Sequence, residues 1–125
     1  MDWKHARDER EYIHTPVGMD KSAVNKLKML AQWIDQFCLM MDWGQVVITS
    51  FYRPDDKDSY HSICQAADIR SKDKPGAFRT SIRLLSWVLK VTPGHCFQIY
   101  THEELVGRAQ EHIHLAWKDG KIERQ

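Results

Sequence analysis

Val24, Leu27, Ala31, Ile34, Cys38 and Met41 recur at three- and four-residue intervals, and Leu30, Trp33 and Phe37 widen this stripe into a broad apolar face. The spacing predicts one long core-packing helix from Asp20 to about Asp42, which Asp20 or Ser22 can cap and Gly44 can end. Before it lies a polar N-terminal arm, residues 1–19. After it the pattern changes. Gln45 to Tyr52, QVVITSFY, is rich in β-branched and aromatic residues and stops short of Pro54, as a strand does. A polar loop leads to a short strand at Ala66 to Arg70. Phe78, Ile82, Leu85 and Leu89 then line a second helix, opened by Pro75 and closed by Pro93 and Gly94. Cys96 to Tyr100 is a third strand, and Ile113, Leu115 and Trp117 alternate with His112, His114 and Ala116 in a fourth. Asp119-Gly120 is a two-residue hairpin turn that sends Lys121 to Glu123 back along it. The expected fold is α+β, with two main helices packed on a mostly antiparallel sheet.

The chain of 125 residues fits one domain: the arm, a core over 20–117 and a terminal hairpin over 118–125. Its 42% hydrophobic and 28% charged residues, with a formal net charge of +1, describe a soluble protein. Because Lys and Arg are balanced by Asp and Glu along the whole length, no basic face for nucleic acid is expected. The N-terminus, MDWKHARDEREY, has no apolar leader run, and no segment approaches membrane-spanning length, so synthesis and residence in a cytosol are expected. Three cysteines, Cys38, Cys64 and Cys96, at scattered spacing suit reduced core thiols.

Alternation then places candidate chemistry. With Ile113, Leu115 and Trp117 turned to the core, His112 and His114 share the opposite, exposed face. Asp68 likewise sits opposite Ala67 and Ile69. Alone, His61 reads as a solvated loop histidine and Asp68 as a turn residue. Together with one histidine of the pair His112 and His114 they offer three donors of the type that zinc takes, at roughly 2.0–2.2 Å in a tetrahedron. His61 and Asp68 are seven positions apart, which would be roughly 23 Å along a strand or about 10 Å along a helix, so sharing an ion requires the chain to fold back between them. Three such ligands leave a fourth position for water, the catalytic arrangement.

The stretch Ser59-Tyr-His61-Ser-Ile-Cys64-Gln-Ala66-Ala-Asp68 resembles the Ser-x-His-x-x-Gly-x-Ala-x-Asp motif of the zinc D-Ala-D-Ala carboxypeptidases, the vancomycin-resistance dipeptidases and the phage L-alanyl-D-glutamate endolysins. Upstream, Thr49-Ser-Phe-Tyr-Arg53-Pro resembles the strand end that carries this family's active-site arginine, and Glu111-His112-Ile-His114 satisfies both Glu-x-x-His and His-x-His forms of its second motif. The resemblance implies one zinc ion held by His61, Asp68 and His114. It gives Glu111 the role of the base that takes a proton from the attacking water and returns it to the leaving amine. It places Arg53 on a substrate carboxylate or the tetrahedral oxyanion, Ser59 in substrate binding, and His112 beside the metal as an oxyanion stabiliser or proton donor. That role for Glu111 requires an irregular chain just before the last strand, since strict alternation would turn it away from His114. Cys64 departs from the motif's glycine, where a positive φ or close packing is expected. Its thiolate is alternatively a fourth ligand that closes the site.

What the resemblance implies is a monomeric zinc peptidase that cuts peptidoglycan stem peptides in the manner of a phage endolysin, held in the host cytosol until release to the cell wall. Two other functions fit the same motifs: a cytoplasmic D-Ala-D-Ala dipeptidase, and a non-catalytic wall-binding or virion module that the metal merely stabilises.

Overall fold

In the computed structural model of the chain, residues 1–74, 76, 81, 84, 97–101 and 113–117 are described, the stretch 97–101 by its backbone. The fold is α+β, with two helices and a mixed sheet among these residues. Strand β1 (Asp2–Trp3) and helix α1 (Ala6–Ile13) are followed by helix α2 (Lys21–Met40) and strand β2 (Val46–Ser50). Then come a 3₁₀ turn (Tyr60–Ile63) and strands β3 (Ala66–Ser71), β4 (Phe97–Thr101) and β5 (Ile113–Trp117). The sheet order is β1-β2-β3-β5-β4. Three of its pairings are antiparallel, and β1 runs parallel to β2.

Helix α2 forms where the apolar period predicts it. Asp20 caps it by accepting from the Ala23 N–H at 3.2 Å. Val24, Leu27, Ala31, Ile34 and Cys38 are fully buried and meet Ile48, Ala67, Ile69, Ile113, Leu115 and Trp117 of the sheet in one core. Leu27 and Ile34 each contribute about 1.5–3 kcal/mol by leaving water. The stripe is narrower than the sequence implies: Trp33 is 51% exposed and Met41 48% exposed. The helix also ends differently. Asp42, at φ +59°, takes the left-handed position, with its N–H on Leu39 O and the Trp43 N–H on Cys38 O, so a Schellman cap stops the helix before Gly44 is reached.

The N-terminal arm is structured. Helix α1 turns Asp8 and Tyr12, four residues apart, to the inside and the rest of its face to solvent. Tyr12 stacks edge-on between Trp3 at 4.9 Å and Phe51 at 5.3 Å. The Asp8 carboxylate accepts the Tyr52 N–H at 3.0 Å, which fixes the chain leaving β2 against α1. No helix among the described residues is long and apolar enough to cross a membrane. Phe78, Ile82, Leu85 and Leu89 of the second helix expected after Pro75, together with Cys96 and the hairpin at Asp119-Gly120, lie outside the described residues.

Candidate metal centre

Strands β3 and β5 set Asp68 directly opposite His114 in antiparallel register. On a pleated sheet, both side chains therefore stand on one face as close neighbours. Beside them β2 carries a bulge: the register shifts between Ile48 and Ser50, and the Thr49 hydroxyl donates to Asp68 O at 3.2 Å. The bulge bends the strand end next to Asp68, so that Phe51 to Arg53 pass alongside it. This face is not open, as alternation alone suggested. Ala66 and Ala116 are fully buried, and Asp68 and His114 are 7% exposed. His61, on the returning chain, packs against it, its ring 5.1 Å from that of His114.

His61 arrives on the 3₁₀ turn. The Ser59 hydroxyl accepts the His61 N–H at 3.2 Å, the Ser62 hydroxyl donates to Ser59 O, and the turn closes at Cys64 in the left-handed conformation, φ +59° and ψ +27°. Gln65 then sews the turn to the far end of β5: the Trp117 N–H reaches Gln65 O at 2.9 Å, and Gln65 Nε2 donates to Trp117 O at 3.0 Å. These bonds make the fold-back that the His61 and Asp68 spacing requires. The Ser59 hydroxyl is the cap that holds the turn. Gln65 was not singled out from the sequence, because a polar residue within a motif gives no sign of which backbone it will pair.

The imidazole of His61 is fully buried, and its tautomer is set by its partner. Nδ1 lies 2.8 Å from Phe51 O; a carbonyl only accepts, so Nδ1 carries a hydrogen and Nε2 is the nitrogen turned toward Asp68. That Nε2 lies 3.3 Å from Asp68 Oδ1, and His114 Nδ1 lies 3.0 Å from the same oxygen. The two rings are 5.1 Å apart, centre to centre. Burial pushes the Asp68 carboxyl upward, but hydrogen bonds from His114 and His61 and the charge of both rings outweigh it. They hold Asp68 well below the usual carboxylate range, so its carboxylate is ionised.

A cation shared by His61 Nε2, His114 Nδ1 and Asp68 Oδ1 would take the place of the hydrogens between them. Donor atoms of His61, Asp68 and His114 all lie within 4.8 Å of one another, compatible with the edge of about 3.4 Å that a tetrahedral ion with bonds near 2.1 Å demands. The buried group can hold a metal ion. The other Asp68 oxygen, Oδ2, accepts from Arg53 Nη2 at 3.1 Å, and the Arg53 N–H bonds His61 O. Arg53 therefore orients the carboxylate from outside, as partners of metal ligands commonly do.

Cys64 is not part of this group. Its side chain is fully buried in the hydrophobic core, where burial and the charge of Glu11 push the thiol up to about 11, so it stays protonated at neutral pH. Its positive φ explains why glycine suits this position, and makes the tolerance of the turn testable. Left-handed geometry costs a side chain about 1–2 kcal/mol, most for a branched Cβ. Cys64→Gly recovers that cost while losing a small buried group, so urea denaturation should show a change below about 1 kcal/mol, whereas Cys64→Val should lose about 2 kcal/mol or more. Equal stability of the two variants would contradict this reading.

His61, Asp68, His114 and Arg53 are thus brought together. Glu111 and His112 lie outside the described residues. Comparison of the chain with models of known families, with curated proteins and with solved structures finds no match.

Proposed function

We propose that the chain is a zinc-dependent peptidase that hydrolyses a bond in peptidoglycan stem peptides, of the D,D-carboxypeptidase or L-alanyl-D-glutamate endopeptidase type. The observation that carries this reading is the convergence of His61 Nε2, Asp68 Oδ1 and His114 Nδ1 on one buried point, with the His61 tautomer fixed by Phe51 O. Two imidazoles and one carboxylate are a donor set suited to zinc, and three protein ligands are the number found in its catalytic sites. A bound zinc ion supplies Lewis acidity, polarising an amide carbonyl and lowering the pKa of water to about 7.

The residues do the rest. Phe51 O and Arg53 hold the ligands in orientation, so little reorganisation is needed when the ion enters. Arg53, 45% exposed, presents further N–H donors to a substrate carboxylate or oxyanion. Glu111, by its place in the Glu-His-x-His motif, takes the proton from the attacking water and passes it to the leaving amine, with His112 beside it. Incubation of the zinc-loaded chain with purified peptidoglycan should release new amino groups, and mass spectrometry of the products names the bond. Equal silence of the zinc-loaded and chelator-treated samples would count against peptidase activity.

A further inference from the structure

We infer that Arg7 of α1 is a further binding residue, which holds a carboxylate of the peptide in the cavities that it shares with Arg53. This rests on the peptidase reading and adds a residue to its site. Two adjoining cavities, of about 470 and 430 Å³, share Arg7, Tyr52 and Arg53 in their walls. Tyr52 is pinned by its N–H on the buried Asp8, and the Arg7 guanidinium lies 5.7 Å from the Tyr52 ring centre. Helix geometry offers Arg7 another partner, Glu11, at four residues' distance. Glu11 instead accepts from Arg10 Nε, and Arg7 forms no ion pair with any described residue.

Arg53 reaches the metal group itself. Asp68 gives Oδ1 to the histidines and Oδ2 to Arg53, so the Asp68 carboxylate and the Arg53 guanidinium lie between the metal position and a ligand on the outer edge of Arg53. The remaining edge of Arg53 is only loosely taken: Nη1 is 3.9 Å from Asp56 Oδ2, with both side chains about half exposed. Such a pair is weak, and a ligand carboxylate that also reaches Arg7 displaces it. Asp56 therefore competes with the ligand, and its removal should tighten binding.

The test is calorimetric titration of the zinc-loaded full chain, in a Glu111→Gln background that blocks turnover. The probes are the peptide L-Ala-γ-D-Glu-L-Lys-D-Ala-D-Ala and the same peptide with its carboxylates amidated. Adding Arg7→Gln should weaken binding of the free acid about tenfold, from the loss of a charged hydrogen bond, and leave the amidated peptide unaffected. Asp56→Asn should strengthen binding of the free acid severalfold. The inference is overturned if Arg7→Gln binds the free acid as its parent does, or if the parent does not distinguish the two peptides. Hydrolysis by the unsubstituted chain with an unchanged KM in Arg7→Gln sinks the subsite alone. Arg7-dependent binding without hydrolysis sinks the peptidase reading and leaves the subsite standing.

Discussion

The Asp68→Asn protein should bind zinc at least about a hundredfold more weakly than the parent chain, since disturbing even the outer partners of a metal ligand costs about 10–100-fold. The change keeps the size of the side chain and removes its charge. In the parent, one carboxylate faces His61 Nε2 and His114 Nδ1 through Oδ1 and Arg53 through Oδ2. An amide can serve the metal only through a neutral oxygen, and its NH₂ must then face Arg53. The metal-free protein should suffer as well, by about 1–2 kcal/mol at neutral pH, because the hydrogen bonds to an ionised carboxylate are weakened while solvent screens the half-exposed Arg53 charge. The sign of its pH dependence follows from the depressed native pKa of Asp68. Its contribution is present above the unfolded carboxylate range and fades as pH falls toward the native value, so the stability gap between parent and Asp68→Asn should narrow in acid. Zinc titration and urea denaturation at two pH values measure both effects. A parent-like zinc affinity in Asp68→Asn would remove Asp68 from the ligand set.

Glu111→Gln separates chemistry from metal binding. General acid–base catalysis contributes about 10²–10⁴-fold, so peptidoglycan hydrolysis should fall by that factor. Zinc affinity should stay within a few-fold of the parent, because the three donors remain. The pairing of these outcomes is informative: Asp68→Asn loses ion and activity together, while Glu111→Gln keeps the ion and loses the activity. Full hydrolysis by Glu111→Gln would place the base elsewhere. Weakened zinc binding in the same variant would make Glu111 a ligand.

Why the sequence announced some of this and concealed the rest is physical. Helix α2 was legible because its seven buried residues of 20 fall on one face, which writes a 3.6-residue period into Val24, Leu27, Ala31, Ile34 and Cys38. Helix α1 was not, because a short helix anchored by Asp8 and Tyr12 buries one charged and one amphipathic residue and leaves no apolar stripe. Strand β1 is two residues long, too short for alternation to be seen. In β5, alternation correctly put Ile113, Leu115 and Trp117 in the core and His114 on the other face, but it could not show that this second face is buried too. The metal group was visible through residue type and spacing. The details that align it were not: the bulge at Thr49, the Phe51 carbonyl under His61 and the Gln65 stitch to Trp117 each depend on a backbone group of a distant segment, which side-chain identity does not encode.

Anomalous diffraction at the zinc absorption edge, from crystals of the zinc-loaded protein, tests the central claim most directly. A single strong peak is expected about 2.0–2.2 Å from each of His61 Nε2, Asp68 Oδ1 and His114 Nδ1, with a non-protein ligand in the fourth position. A peak elsewhere, or a fourth side chain closing the site, would contradict it.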